Sequence, residues 1–586
     1  TDDLAFSRTN NAVTLTDTTA RTLGVQAGVA DATLTITSGG IISSGNVTHT
    51  LAVPRLNLGA NSFIQVLSGA TLDITGAITS SASSLMKALP GTLKLSAKQW
   101  YNSTTNVTGG TLTLTAGTNT IFPGSGALFN VDVGGTVDLN GNVQYLPNSI
   151  SSPGSLPGTG GTITGAGGML VIGAANTTWA GTISGAGLNF VKTGGNANIS
   201  LQSAQTYTGS TTLLGAVTTL ENDATLLSTS AIDINYATLT LNNDSGLKTQ
   251  NNNRIGDTVP VALRGGTISY TGRVSTAATE TFGALTLAQG ANTLTATTGG
   301  GTVTSVDLTF ASLTRQNNAT INFTGTNLGQ QGNNSRIVFT SPIPTTNGGM
   351  IGAWAVADLT NYAAYNAGLG VGVVGQGGFV GYAGASGPGM LWQIPVTANT
   401  TTTLPAGTTH AAILRLAGAF TNDIAFTNAG DVLNLELGGL LRSNDNNAST
   451  IGTTAIRGVL TSGSGELITY NHQNTLTINS VIQGAGTKYI KDGASIATLT
   501  AANTYGGGTV VNRGTLNITP TVTDGSVVVI PAGGLVINGG LQNSGVTVNL
   551  NTSNAIAAST EASSATSIFT AKAPGTEEAQ AFAASR

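Results

Sequence analysis

Short segments in which apolar and polar residues alternate recur along the chain, each bounded by glycine or asparagine. Clear examples are GATLDITG from Gly69, GGTVDLNG from Gly134, GGTISYTG from Gly265 and GGLVINGG from Gly533. Apolar residues at every second position place one side of a β-strand in a core and the other side in water. The pattern therefore predicts many short strands, joined at corners where Gly and Asn tolerate a left-handed backbone.

Three longer segments, residues 78–112, 183–218 and 482–516, are copies of one repeat. In each copy a Lys stands nine residues after the first Ile, a Leu six residues before a Tyr, and a small residue nine residues after that Tyr. Coincident offsets in three distant segments are hard to obtain by chance, so we assign these positions a structural role in the repeat. They are Lys87, Leu95, Tyr101, Gly110, Lys192, Leu201, Tyr207, Ala216, Lys491, Leu499, Tyr505 and Gly514.

The composition excludes helical architectures and narrows the all-β choices. Of 586 residues, 81 are Gly and only 8% are charged, and the polar remainder is rich in Thr, Ser and Asn, which suit a pleated sheet better than a long helix. A stack of sandwiches would show a domain period near 100 residues and larger aromatics in each core, whereas only 5% of residues are aromatic. An elongated parallel β-helix fits better, with some 22–27 coils of roughly 20–25 residues each.

The repeat copies resemble the autotransporter-associated β-strand repeat, which is found in passenger domains of large bacterial autotransporter-like surface proteins. In the last copy Gly484 to Gly486 match the turn, Ile490 and Lys491 the first strand, and Leu499 the second strand. Residues 503–509 match the following corner, and residues 514–516 close the unit. The copy at residue 183 keeps almost all of this pattern, whereas the copy at residue 78 has Ser80 to Ala82 in place of the Gly–Ala–Gly turn.

A second segment, GGMIGAWAVADLTNYAAY at residues 348–365, is similar to one that recurs in large proteins with the same repeat. The resemblance implies a right-handed parallel β-helix, export in a diderm bacterium, and a location outside the cell or at its surface. It does not imply one activity, because such passengers include adhesins, structural fibres, toxins and hydrolases.

The repeats and the changes in composition divide the chain into five predicted parts. Residues 1–28 form an N-terminal cap or coupling segment, and residues 29–346 and 396–550 form the parallel β-helix. A Gly- and aromatic-rich excursion, residues 347–395, interrupts it, and residues 551–586 form an Ala- and Ser-rich tail.

Charge and residue chemistry argue against several functional classes. The 21 basic and 25 acidic residues leave no basic stripe for nucleic acid, no stretch of 18 apolar residues spans a membrane, and the absence of Cys removes thiol and cysteine-metal chemistry. No calcium-loop or phosphate-loop motif is present, so we expect no cofactor or metal site.

Few residues suggest catalysis. The only histidines, His49, His410 and His472, are far apart and are expected in exposed turns. The carboxylate pairs Asp132 with Asp138 and Glu221 with Asp223 lack a basic partner nearby in sequence, although a glycosidase needs only a suitable separation of two carboxylates in space. We therefore predict no catalytic residues.

Two sets of residues could contact a ligand. The repeat lysines could line a track for anionic glycans, but we expect each to cap the edge of a coil with its amine in solvent. The repeat tyrosines are expected to pack at corners rather than to form a sugar platform. The excursion supplies five aromatics that could face a ligand: Trp354, Tyr362, Tyr365, Tyr382 and Trp392.

These observations favour a non-enzymatic, extracellular structural or adhesive β-helix protein at the bacterial surface. We also expect it to self-associate into a filament or a surface layer, because the end of a β-helix exposes unpaired backbone groups unless it is capped. Two alternatives stay open: a carbohydrate-active β-helix enzyme, either a polysaccharide lyase or a hydrolase, and a glycan-binding adhesin.

Overall fold

The computed structural model contains β-strands and turns but no helix in the part of the chain that it describes. The described residues are 2–4, 7–25, 31–37, 40–59, 63–79, 84–173, 176–194, 196–247, 249–302, 305–394, 397–443, 447–522, 526–539, 545–552, 554–557, 562–564 and 568–571. Within each of the two compact units described below, the strands stack as coils of a right-handed parallel β-solenoid, with about 21 turns in all, which confirms the predicted all-β, parallel β-helix class. The expected number of coils was too high, because several coils are longer than 25 residues.

The strands are short, and most contain three to five residues. Strands β1 to β19 are Asp2–Leu4, Arg8–Asn10, Val13–Leu15, Thr22–Val25, Thr33–Ile36, Gly40–Ser43, Thr48–Leu51, Arg55–Leu58, Phe63–Val66, Thr71–Ile74, Ala77–Ile78, Leu85–Ala88, Thr92–Leu95, Thr104–Val107, Gly110–Leu114, Leu128–Val131, Gly135–Asp138, Val143–Leu146 and Ser149–Ser151. Strands β20 to β39 are Thr162–Thr164, Met169–Ile172, Thr177–Trp179, Thr182–Ser184, Asn189–Lys192, Ile199–Leu201, Thr211–Leu214, Val217–Glu221, Ile232–Asn235, Thr238–Asn242, Val261–Arg264, Thr267–Thr271, Ala278–Gln289, Ala291–Thr297, Val306–Arg315, Thr320–Gly325, Ser335–Phe339, Ala355–Ala357, Asn361–Asn366 and Gly370–Val373. Strands β40 to β57 are Leu391–Ile394, Thr400–Leu404, Thr408–Leu416, Asn422–Phe426, Val432–Arg442, Ser449–Ile451, Val459–Ser462, Glu466–Asn471, Thr475–Ile478, Val481–Ile482, Lys488–Asp492, Ile496–Leu499, Thr509–Val511, Gly514–Ile518, Leu535–Ile537, Val546–Leu550, Ala562–Ser564 and Ile568–Ala571.

The chain divides into two compact units. Unit 1 comprises Thr1–Asp233, Ala237–Pro260 and Glu280–Phe282, and unit 2 comprises Ile234–Tyr236, Val261–Thr279 and Gly283–Arg586. The division into five parts made from the sequence stays a prediction. The predicted C-terminal tail lies largely outside the described residues, as does Val29, where the predicted β-helix begins.

Unit 1 is built from parallel sheets in which each strand pairs with its equivalent in the next coil. One sheet has the order β1-β4-β7-β10-β13-β15-β17-β20-β23, and two further sheets run β19-β16-β14-β12-β9-β6-β3 and β11-β8-β5-β2. The register stacks inward side chains into columns, so that Leu72 lies beside Leu93 and Leu93 beside Leu112. The full column is His49, Leu72, Leu93, Leu112, Val137, Ile163 and Ile183.

Every residue of this column is buried, with a relative exposure of 0%. The outward residues beside it are polar: Asp73 lies next to Lys94, and their side chains form an ion pair of 3.1 Å. The alternation read from the sequence thus separates core from surface along each strand, and the parallel register extends that separation from coil to coil.

Unit 2 begins with two parallel sheets. One contains β30, the 283–289 part of β32, β34 and β36, and the other contains β31, β33, β35 and β37. The second sheet continues into two antiparallel pairings, between β37 and β38 and between β38 and β39. Two more parallel sheets follow, β40-β42-β44-β47-β50-β52-β54-β56 and β41-β43-β45-β48-β51-β53-β55-β57. The antiparallel strands and the loops beside them position the site described below.

Candidate ligand-binding cleft

The repeat lysines are buried and bind backbone carbonyl groups. The Lys87 Nζ donates to the carbonyl oxygens of Ala88, Leu89 and Gly109 at 3.0, 2.6 and 2.9 Å. The Lys491 Nζ likewise donates to Gly493, to Ser495 at 2.6 Å and to Arg513 at 2.7 Å, and the Lys192 Nζ donates to Thr193.

The expectation that these amines lie in solvent was therefore wrong. Turns leave carbonyls outside the sheet ladder, and an ammonium group with three donors can satisfy three of them at once. Burial lowers the pKa of Lys87 and Lys192 to about 8 and that of Lys491 to about 7. Side chains held in this way do not form a track for anionic glycans.

The other repeat positions also build the coil. In all three copies the Tyr hydroxyl pairs with the Thr hydroxyl four residues later, at 2.6 Å: Tyr101 with Thr105, Tyr207 with Thr211, and Tyr505 with Thr509. Burial raises the pKa of each Tyr. The Leu of each copy is buried in the core as well: Leu95, Leu201 and Leu499.

The small residue that ends each repeat copy adopts a left-handed backbone. The φ angles are +67° at Gly110, +55° at Ala216 and +73° at Gly514. A Cβ atom on Gly514 would lie 2.3 Å from the Gly493 carbonyl oxygen and 2.5 Å from the Lys491 Nζ. Backbone conformation and close packing therefore explain why a small residue stands here, which the offset alone did not reveal.

The structure places the five aromatics of residues 347–395 in different environments. Tyr362 and Trp392 have relative exposures of 0% and 5%, so the expectation that these two face a ligand was wrong. Tyr362 lies in the core that the antiparallel strands add, where its ring lies edge-on to Tyr470 with centroids 6.5 Å apart. Trp392 lies in a second core, which includes Leu414 on the neighbouring strand. A core that encloses turn-rich strands needs large side chains, because Gly and Ala leave space there.

The other three aromatics are half-buried. The Tyr365 hydroxyl donates to the Phe339 carbonyl at 2.9 Å, and the Trp354 ring lies 5.5 Å from the Arg315 guanidinium carbon. Of the five, Tyr382 alone lines the cavity described next. Of the residues that line this cavity, the sequence thus named Tyr382 and none of the others.

This cavity, which we call the amide cleft, has a volume of about 500 Å³. Four stretches of unit 2 meet there: the residues after β35, the turn between β37 and β38, the residues at the end of β39, and the Tyr382 loop with β40. The lining residues are Asn327, Leu328, Gln330, Asp358, Asn361, Val373, Val374, Gly375, Gln376, Tyr382 and Gln393.

Internal hydrogen bonds fix the polar groups of the amide cleft. The Gln376 Nε2 donates to the Leu328 carbonyl at 3.1 Å, and its Oε1 accepts the Val373 N–H at 3.2 Å. The Asn361 Nδ2 donates to the Thr360 hydroxyl at 2.9 Å, which leaves its Oδ1 as an acceptor. The cleft is therefore largely preorganised.

Arg415 supports one wall from behind. It donates to the Gln393 Oε1 at 2.6 Å and to the Thr360 carbonyl at 2.7 Å, and its guanidinium carbon lies 5.2 Å from the centroid of the Tyr382 ring. The Tyr382 hydroxyl accepts the Tyr362 N–H at 3.1 Å. Burial raises the pKa of Tyr382 to about 12, so its hydroxyl keeps its proton near neutral pH.

Asp358 is the only carboxylate among the lining residues. It follows β37 with a φ of +51°, in the left-handed region that Asp and Asn tolerate. The residue is exposed, but partial burial of its carboxyl group raises the pKa above the ordinary value, against the lowering effect of hydrogen bonds from Thr324 and Gly325. The amide cleft thus combines one acidic group with five neutral carboxamides.

The carboxylates considered for catalysis lie elsewhere and have structural surroundings. The Asp138 Oδ1 accepts the Asn140 N–H at 2.8 Å in a local turn, and the Glu221 Oε1 accepts the Gln202 Nε2 at 2.5 Å. Burial raises the pKa of Asp132, whose Oδ1 has no hydrogen-bond partner within the described structure. None of these carboxylates, nor Asp223, lines the amide cleft.

None of the three histidines lines the amide cleft. His49 is buried, with its Nδ1 accepting the Arg21 N–H at 3.1 Å and its Nε2 2.8 Å from the Ser44 carbonyl oxygen. His472 is also buried, and burial lowers its pKa to about 4. The expectation that His49 and His472 lie in exposed turns was therefore wrong. His410 alone is partly exposed, 3.3 Å from Glu436.

Two features are absent from the described residues. No cluster of three or more His, Cys, Asp or Glu side chains is arranged to hold a metal ion. No helix in the described ranges is long and apolar enough to cross a membrane.

Comparison with known proteins supports the resemblance read from the repeats. A family model, the passenger-associated-transport-repeat, matches residues 490–518, which cover most of the last repeat copy. The chain is also 26% identical over 463 residues to the adhesin BmaC autotransporter of Brucella suis biovar 1 (strain 1330). That alignment covers 74% of this chain but only 11% of the relative. No solved structure matches.

The repeat match lies on strands β50 to β53 and includes Lys491, Leu499, Tyr505 and Gly514, whose roles in the coil are described above. The long alignment extends the likeness well beyond that repeat. Together, the repeat match and the long alignment indicate a location outside the cell or at the surface of a diderm bacterium. The chain is thus a parallel β-solenoid that is similar to an autotransporter adhesin, and one of its repeats matches the passenger-associated-transport-repeat.

Proposed function

We propose that this chain is a non-enzymatic adhesive protein of the bacterial surface, in which the β-solenoid is the scaffold and the amide cleft is the binding site. The observation that carries the proposal is the contrast between the two. The Lys and Tyr side chains of the repeats are engaged inside the coil, whereas carboxamides and a carboxylate from four stretches of chain converge on an open cavity. The similarity to an adhesin supports the same function.

Beads coated with the full chain provide a direct test of adhesion. Attachment to a panel of mammalian cell lines should exceed that of beads coated with the same chain after denaturation, because a preorganised cleft requires the folded coil. Equal attachment of both bead types to every cell line would contradict the adhesive function.

The enzymatic alternative is less well supported by the cleft. Glycoside hydrolysis by the usual route needs two carboxyl groups on opposite sides of the scissile bond, and the lining residues include only Asp358. We expect no release of reducing sugar or unsaturated product from neutral or acidic polysaccharides. Release that is abolished by Asp132→Asn or Asp138→Asn would overturn this part of the proposal.

Self-association is a further part of the proposal. The end coil of a parallel solenoid presents unpaired backbone N–H and C=O groups, and a second copy of the chain can pair with them. A chain that ends at Leu550 should form shorter filaments than the full chain in negative-stain micrographs. Filaments of equal length would remove the predicted tail from the assembly mechanism.

A further inference from the structure

The amide cleft has the size and the chemistry of a site for an uncharged, polyhydroxylated ligand. Its volume of about 500 Å³ lies within the range of roughly 300–1,000 Å³ typical of small-molecule sites. Carboxamides supply donors and acceptors on one planar group, and a carboxylate accepts from two hydroxyls at once. Adjacent hydroxyl groups of a sugar need this mixture.

The charges of the lining residues disfavour anionic ligands. No Lys, Arg or His is among the lining residues, so an anionic group would meet the Asp358 carboxylate without a compensating cation. Arg415 lies behind the wall, where it engages Gln393 and Thr360. Phosphorylated, sulfated and uronic-acid ligands are therefore disfavoured relative to neutral ones.

A peptide strand is disfavoured for a geometric reason. Strand β39 ends its sheet and would be the natural edge for strand addition. Gly329 covers part of this edge: a Cβ atom on it would lie 2.7 Å from the Gly372 Cα and from the Val371 carbonyl oxygen. The backbone groups that a peptide strand needs are thus obstructed by this chain's own loop.

The remaining polar atoms offer complementary roles. Arg415 occupies the Gln393 Oε1, which leaves the Nε2 as a donor, and the Asn361 Oδ1 is an acceptor. The Asp358 carboxylate accepts hydrogen bonds from Thr324 and Gly325, and its remaining lone pairs can accept from a ligand. Gln330 is exposed at the rim and can act as either. We propose that the amide cleft binds a neutral sugar unit of a cell-surface glycan, an assignment that rests on the proposed adhesive function and gives it a ligand class.

The full chain is first screened on an array of neutral, sialylated and sulfated glycans, together with unstructured peptides. The tightest-binding oligosaccharide is then titrated calorimetrically with the wild type and with Asp358→Asn and Gln330→Ala. Asn tolerates the left-handed backbone at position 358, so Asp358→Asn should fold, which circular dichroism checks. Gln316→Ala is the matched control, since Gln316 is also an exposed carboxamide but lies outside the cleft.

We expect a neutral glycan to bind, with affinity reduced at least about tenfold by Asp358→Asn and several-fold by Gln330→Ala, and unchanged by Gln316→Ala. Selective binding of anionic glycans or of peptides, or equal affinity of all variants, overturns the assignment. The bead assay separates the two levels: attachment without any glycan binding leaves the adhesive function standing and removes the ligand class, whereas glycan binding without attachment does the reverse.

Discussion

Replacing Lys87 by Met tests whether the buried amine of the repeat holds the corner of its coil. The Met side chain is similar in length to that of Lys but apolar throughout, so the change removes the Nζ donors with little change in packed volume. The carbonyl oxygens of Ala88, Leu89 and Gly109 then lose their partner. Leu89 has a φ of +68°, so the amine lies at a turn with an unusual backbone.

The expected magnitude follows from the three lost hydrogen bonds. A buried acceptor left without a donor costs about 1–3 kcal/mol. Burial of the amine lowers the pKa of Lys87 to about 8, which shows that burying the charged group is itself unfavourable. The substitution removes this cost and so offsets part of the stability lost with the hydrogen bonds. We therefore expect Lys87→Met to reduce the free energy of unfolding by roughly 2–5 kcal/mol.

The same repeat copy contains a matched control. Lys94 lies on the outer face with its side chain 40% exposed and pairs with Asp73 at 3.1 Å. Exposed ion pairs contribute about 0–1 kcal/mol, so Lys94→Met should have a small effect. The comparison isolates the buried position of the amine from the loss of a positive charge.

Guanidinium titration followed by circular dichroism gives the global effect, and hydrogen exchange at strands β12 to β15 gives the local one. Local exchange matters because coils of a repeat protein can open without global unfolding. If Lys87→Met and Lys94→Met change stability and exchange equally, the amine does not hold the corner and our account of the repeat is wrong.

Three other predictions test separate parts of the account. Gly514→Ala should lower the melting temperature and reduce the free energy of unfolding by more than about 2 kcal/mol, because φ is +73° and the Cβ would contact the Gly493 carbonyl. Ala216→Gly at the equivalent position should leave the free energy of unfolding almost unchanged. Tyr505→Phe should cost about 1 kcal/mol in denaturant titration through loss of the hydrogen bond to Thr509, and an unchanged midpoint would contradict this. Burial lowers the pKa of His472 from 6.5 to about 4, so the folded chain binds the proton less tightly than the unfolded chain does. The stability that is present above pH 6.5 is therefore lost as the pH falls toward 4. His472→Phe should remove that loss, about 3 kcal/mol, and parallel pH profiles of the two proteins would count against it.

The fold could be predicted from the sequence because its pattern is local and periodic. Alternation in segments such as the one around Leu72 assigns the faces of a strand, and the repeat offsets assign equivalent positions in distant coils. The burial of Leu95, Leu201 and Leu499 follows from the same logic. A parallel register then needs no further information, since each strand pairs with its counterpart one coil away.

The environment of the repeat lysines was not predictable from alternation. Lys87 bonds to carbonyls beside it in sequence and also to Gly109, 22 residues later, and Lys491 bonds to Arg513 at the same separation. These acceptors are turn carbonyls, which leave no trace in side-chain chemistry. The signal that could have found them is the recurrence of the Lys at one fixed position of the repeat.

The amide cleft was predictable only in its approximate location. Its lining residues come from several stretches, and each stretch is about 30 residues or fewer from the next along the chain. The antiparallel strands among them follow no repeat. Tyr382 was among the proposed aromatics, but Asp358 and Gln330 have no distinguishing sequence context. Asn and Gln are common throughout the chain, so only the fold shows which of them converge.

Hydrogen–deuterium exchange of the full chain, with and without the tightest-binding neutral oligosaccharide, tests the central claim most directly. The claim is that the solenoid is the scaffold and the amide cleft is the site. It predicts slower exchange on ligand addition at residues 327–330, 358–361, 373–376 and 393, with no change in the coils that contain Lys87 and Lys192. Protection spread along the faces of those coils, with none at the cleft, would contradict it.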